Sequence, residues 1–130
     1  MELKKELIEN AYSLLCDNGY HSSDSGIRPI LSKVIEDRYF FKDTEVADKV
    51  IGKAAALLLV YSGVKKVYGL IMSQAGKEVL EDHGVKYAYD ELVPFITNMR
   101  GDGMCPMELC VSAIDEPQAA YEALKAKLSL

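Results

Sequence analysis

The sequence predicts an α/β fold in which helices cover both faces of a parallel or mixed sheet. Three observations predict it. Short apolar runs alternate with helical patterns of about ten to fourteen residues, the order that builds strands joined by crossover helices. The chain has 130 residues, a typical length for one domain, so residues 1–130 are read as a single unit with one core. Hydrophobic residues make up 49% and charged residues 27%, a globular balance rather than a disordered one.

Each element has a local reason. Residues 2–11 read as a short helix with Leu3, Leu7, Ile8 and Ala11 on one side. The run YSLLC, then Asp17-Asn18-Gly19, then YHSS reads as a hairpin, because Asn-Gly accepts the positive φ of a tight turn. The rival is one helix through Cys16 stopped by Gly19; the hairpin is favoured. Residues 27–36 carry Ile27, Ile30, Leu31, Val34 and Ile35 on one helical face, with Ser25 as N-cap and Pro29 in the first turn.

Glu45-Val46-Ala47 reads as a short strand. A helix follows from about residue 49 to residue 62, closed by Gly63; it is apolar nearly all round and should be central. Residues 64–72 read as a strand, 74–83 as a helix ended by Gly84, and 85–89 as a strand, with 92–96 a candidate for one more. A polar, glycine-containing loop spans 98–104, and a helix starts near Cys105-Pro106. The last helix opens on Asp115-Glu116-Pro117-Gln118, read as a capping box with Asp115 as N-cap, and buries Ala120, Tyr121, Leu124 and Leu128.

Charge and composition exclude several functions. A net charge of −5 and a pI near 5.0 argue against nucleic-acid or anionic-membrane partners. The longest apolar run, 54–61, is far short of the about 20 residues that a membrane span needs. The start, MELKKELIEN, has no signal-peptide pattern, and three cysteines (Cys16, Cys105 and Cys110) suggest reduced thiols in a cytoplasm. Cys105 and Cys110 lie five apart, on different faces of a helix, and no second pair completes a zinc site, so no zinc is expected.

In sheets of this kind, ligands bind at the carboxyl ends of strands, beside helix N-termini. That places the candidate regions at 48–53, 73–77 and 101–105. In the first, Asp48-Lys49-Val50-Ile51-Gly52-Lys53, two lysines sit at the start of the expected helix, where the dipole disfavours cations and like charges four apart repel. Gly52 inside a helix costs about 1 kcal/mol relative to alanine. Three unfavourable choices in five residues suggest an anion held there, with Gly52 allowing close approach. The alternative is that Asp48 and Glu45 neutralise the lysines and Gly52 lets another element pack. The phosphate-loop spacing G-x-x-x-x-G-K-[ST] is absent.

The second constellation is Arg100-Gly101-Asp102-Gly103-Met104-Cys105-Pro106-Met107-Glu108. With Pro106 at N1, Cys105 is the N-cap and Glu108 the N3 residue, able to reach back to the Cys105 amide. A thiol at a helix N-terminus gains thiolate character, so Cys105 is the best nucleophile candidate, with Lys53 or Asp102 assisting. Gly101 and Gly103 would let amides curl round a ligand. The alternative is a tight loop in which a small thiol fills a gap. His21 and His83 read as surface residues. Tyr87 and Tyr89 alternate on one strand and could line a pocket or a dimer edge.

The stretches GIRP from Gly26, ADKVIGKAAALLLVYSGV, ELVPFITN and GDGMCPME resemble the domain of unknown function 1893 family over roughly residues 12–112. The resemblance implies a cytidine deaminase-like, three-layer α/β/α sandwich with a mixed sheet. Zinc deaminases carry His-x-Glu at one helix start and Pro-Cys-x-x-Cys at the next. The corresponding stretches here, Gly52-Lys53-Ala54-Ala55 and Ser73-Gln74-Ala75-Gly76-Lys77-Glu78, hold none of these residues, so zinc-dependent deamination is not expected.

The leading reading is a domain that binds a nucleotide-like or phosphate-bearing small molecule through Asp48, Lys49, Gly52, Lys53, Gly101, Asp102, Gly103 and Met104. The next is a metal-independent enzyme with Cys105 as nucleophile. The third is a structural or interaction module, a homodimer in the simplest form.

Overall fold

The computed structural model describes residues 2–130. Its sheet has five strands in the order β2-β1-β3-β4-β5: β1 (Leu14–Cys16), β2 (His21–Ser22), β3 (Glu45–Ile51), β4 (Lys66–Ser73) and β5 (Lys86–Val93). Strands β3, β4 and β5 run parallel, and β1 runs antiparallel to both β2 and β3, so the sheet is mixed.

Helix α1 (Glu2–Glu9) covers one face, where Leu7 packs with Leu15, Ala47 and Tyr68. The other face carries the main core, built with α2 (Arg28–Glu36), α3 (Lys53–Ser62), α4 (Gln74–Asp82), α5 (Pro106–Val111) and α6 (Pro117–Lys127). The result is a three-layer α/β/α sandwich. Helix α3 lies among α2, α4, α5 and α6, which explains its near-uniform hydrophobicity: residues from Ala54 to Leu59 are all buried.

The hairpin is present, with Leu15 opposite His21. Its geometry differs from the expected one, since only Gly19 takes positive φ (99°). Asn18 contributes its side chain instead, accepting from the Tyr20 amide at 3.0 Å. Helix α2 begins at Arg28 with Ile27 as N-cap, not Ser25. The candidate strand 92–96 does not form separately, because β5 runs on to Val93 as long as β4 is there to pair with. Glu116, not Asp115, caps α6, accepting from the Gln118 and Ala119 amides at 3.1 and 2.7 Å.

One boundary matters most for the site. Strand β3 continues to Ile51, where Ile51 pairs with Met72, and α3 starts only at Lys53. Lys49 is therefore a strand residue rather than a first-turn helix residue, and it has no i, i+4 relation to Lys53. Gly52 is the N-cap, extended at φ −101° and ψ −171°, not a helix-interior glycine. Pairing with β4 overrides the local helical pattern.

Candidate functional site

A pocket of about 500 Å³ opens at the carboxyl end of β3. The approach to α2 (Ser25, Gly26, Ile27) forms one wall, and the 96–99 segment with the start of α5 forms the other. Of the sequence-derived residues, Asp48, Lys49, Gly52 and Cys105 border it. Lys53, Gly101, Asp102, Gly103 and Met104 do not.

Lys53 turns away. Its Nζ donates to the Ser112 carbonyl at 3.1 Å and pairs with Asp115 at 2.9 Å, tying α3 to the α5–α6 junction. The 98–104 loop folds on itself: Asn98 N–H donates to the Gly103 carbonyl at 2.8 Å, and Thr97 bridges Met104. The Asn98 side-chain oxygen accepts from the Gly101 amide at 2.8 Å and the Asp102 amide at 3.3 Å. Asn98 Nδ2 donates to the Asp102 carboxylate at 2.9 Å. The Gly101 and Asp102 amides, read as part of a ligand cradle, are thus taken up by one asparagine.

The α3 N-terminus follows the same logic. A helix that begins after glycine has no capping side chain of its own, so its first amides need an acceptor from elsewhere. Glu108 supplies it. Its two carboxylate oxygens accept from the Lys53 amide at 2.7 Å and the Ala54 amide at 2.8 Å, 55 and 54 residues away in sequence. A Cβ at Gly52 would fall on the Glu108 carboxylate. Gly52 thus allows another element of the protein to pack, as the alternative reading of this turn had it, and no bound anion is needed to explain it. Glu108 does not reach the Cys105 amide, which donates to the Ile96 carbonyl at 2.8 Å. Sequence reading missed both acceptors. The one local clue to Glu108 was an alanine-rich helix starting after a residue that cannot cap.

Asp48 is different. It is 8% exposed and its carboxylate accepts from the Val50 amide at 3.0 Å. Burial pushes its pKa up to about 7; only the backbone amides of Val50 and Lys49 oppose that shift. Among the described residues no cationic side chain pairs with it. A carboxyl in this state can accept N–H donors when ionised, or donate and accept when protonated. Lys49 is exposed at the same rim, and its backbone N–H donates to the Ser13 carbonyl at 2.9 Å. Cys105 is half-buried at the N-cap of α5, and its side chain makes no capping bond. Cys16 is buried, and burial raises its thiol, as suits a packing residue.

Ser73 completes the contrast at the second expected region. Its hydroxyl accepts from the Gly76 amide at 3.0 Å, so α4 is self-capped and the 73–77 segment stays outside the pocket. Among the described residues no group of three or more His, Cys, Asp and Glu side chains is placed to hold a metal ion. No helix among them is long and apolar enough to cross a membrane.

No curated protein matches the chain. Among solved structures it is similar to a DUF1893 family protein from Thermotoga maritima, with a TM-score of 0.88 and 27% sequence identity. That similarity covers 97% of this chain and 87% of the other. The family model described as domain of unknown function (DUF1893) matches residues 2–128. The chain belongs to the DUF1893 family.

Proposed function

We propose that the chain is a small-molecule binding domain whose ligand is a nucleobase- or nucleoside-like molecule seated at the carboxyl end of β3, with Asp48 reading its N–H donors. The observation that carries this reading is Asp48 itself: a buried carboxyl bordering a pocket of about 500 Å³, with no cation against it among the described residues. Natural sites of this size are largely apolar, with a few polar groups fixing orientation. A flat ring bearing an amide or amidine edge supplies the donors that an ionised Asp48 lacks. Binding would then stabilise that ionised form and draw its pKa back down.

Phosphate takes a smaller part than the sequence suggested. The α3 amides are occupied by Glu108, and Lys53 faces the opposite way. A phosphate on the ligand would meet Lys49 at the rim. Calorimetry with a panel of nucleobases, nucleosides and nucleoside monophosphates tests this. The reading expects nucleosides to bind about as tightly as their monophosphates. Asp48→Asn should weaken binding about tenfold or more, the usual effect of mismatching a buried hydrogen-bonding pair. No binding across the panel, or binding indifferent to Asp48→Asn, removes it.

A second reading rests on Cys105 and Asp48 bordering the same pocket. Here Cys105 is a nucleophile and Asp48, not Lys53 or Asp102, accepts its proton. It expects Cys105 to alkylate faster than a free thiol at neutral pH, and Asp48→Asn to abolish the difference.

A further inference from the structure

The two edges of the sheet are unlike. The β2 edge is two residues long. The β5 edge is eight residues long, Lys86–Val93, and Lys86, Ala88, Tyr89, Asp90 and Glu91 are exposed along it. Among the described residues no backbone group of this strand bonds to anything on the side away from β4. A long, regular edge of this kind is normally shortened, bulged or covered, because its free N–H and C=O groups template another strand.

We infer that β5 is a self-association edge: two copies of the chain pair antiparallel, β5 to β5, about a two-fold axis through Ala88, joining their sheets into one of ten strands. The occupant and the register both follow from the strand's own residues. Residues opposed in an antiparallel pair point to the same face of the sheet. Centring on Ala88 sets Lys86 opposite the partner's Asp90 on the α1 face, twice by symmetry. On the other face it sets Tyr87 opposite the partner's Tyr89, also twice. Within one chain these tyrosines already lie parallel, with ring centroids 6.4 Å apart and planes 6° off, so the pairing continues an existing stack. Asp90 is held in place by Lys4 at 3.0 Å and keeps a further oxygen for the partner's Lys86. Ala88, at the axis, is small enough for the strands to close. Centred on Tyr89 instead, Lys86 meets Leu92 and Tyr87 meets Glu91, and the charge pairing is lost. The axis lies outside the pocket-lining residues, so this inference stands apart from the ligand reading.

Sedimentation of the full chain tests it, with circular dichroism to check that each variant folds. The wild type should be a dimer. Ala88→Lys sets two cations on the axis and should leave a monomer. Lys86→Asp and Asp90→Lys each create two like-charge oppositions and should weaken self-association about tenfold or more. Mixing the two single variants restores opposite charges at every position, and native mass spectrometry should then find the mixed dimer in preference to either parent. A wild type that stays monomeric at about 1 mM overturns the inference. So does a dimer indifferent to Ala88→Lys, and so does a mixture that associates no better than its components.

Discussion

Glu108 and Asp48 border one pocket, yet the first carboxylate is committed to structure and the second is free. Glu108 accepts two backbone amides at the positive end of α3 and sits against a glycine that only a missing side chain makes approachable. Asp48 accepts Val50 N–H, faces no cation among the described residues, and has its pKa pushed up to about 7 by burial. Burial alone does not mark a functional acid. What distinguishes the two is how fully the protein supplies the donors: both Glu108 oxygens accept backbone amides, while one Asp48 oxygen accepts the Val50 N–H.

The sharpest way to break that comparison is at Gly52. Gly52→Ala places a methyl on the Glu108 carboxylate and evicts it, leaving the buried Ala54 amide and the part-buried Lys53 amide unpaired. Chemical denaturation should register a loss of about 3–4 kcal/mol. A loss under about 1 kcal/mol would mean that Glu108 is not a structural cap.

Asp48→Asn should act in the opposite direction. The folded value of about 7 lies above the ordinary 3.8, so between those pH values the folded protein holds a proton that the unfolded chain has released. Stability therefore falls as pH rises through that window and levels off above it. The variant escapes this penalty: melts at pH 8 should show it more stable by about 4 kcal/mol, and melts near pH 4 little different from wild type. Equal effects at both pH values would show that Asp48 is not held protonated.

Smaller effects sharpen the picture. Asn98→Ala removes the side-chain acceptor of the Gly101 and Asp102 amides, leaving Gly101 its bond to the Asn98 carbonyl, and should cost about 1 kcal/mol, with faster proteolysis confined to the 98–104 loop. Lys53→Ala should cost under about 1 kcal/mol in thermal melts, because its partner Asp115 is 93% exposed. A larger loss there would show that Lys53 holds the α5–α6 junction more firmly than an exposed ion pair does.

Local pattern carried the sequence reading a long way. The apolar spacing of Ile30, Leu31 and Val34 fixed α2, and the all-round hydrophobicity of residues 54–59 placed α3 at the centre. The close approach read into Gly52 is real, but it serves the packing of Glu108 rather than a bound anion. What local pattern cannot contain is the partner: Glu108 is 55 residues beyond Lys53, and Lys49 belongs to a strand only because β4 lies beside it. The same limit hid Asn98. Its loop read as an open cradle, when one of its own side chains fills it.

The reach of Glu108 also gives the chain an order of assembly. While the protein is being synthesised, β3, α3 and β4 emerge from the ribosome well before residue 108. In that interval the two leading amides of the central helix have only water as acceptor. The helix that organises the main core is thus the one whose end is secured late, by a contact of large sequence separation. Nascent chains stalled short of α5 should show amide exchange at Lys53 and Ala54 that is fast beside the rest of α3, slowing once Glu108 has cleared the exit.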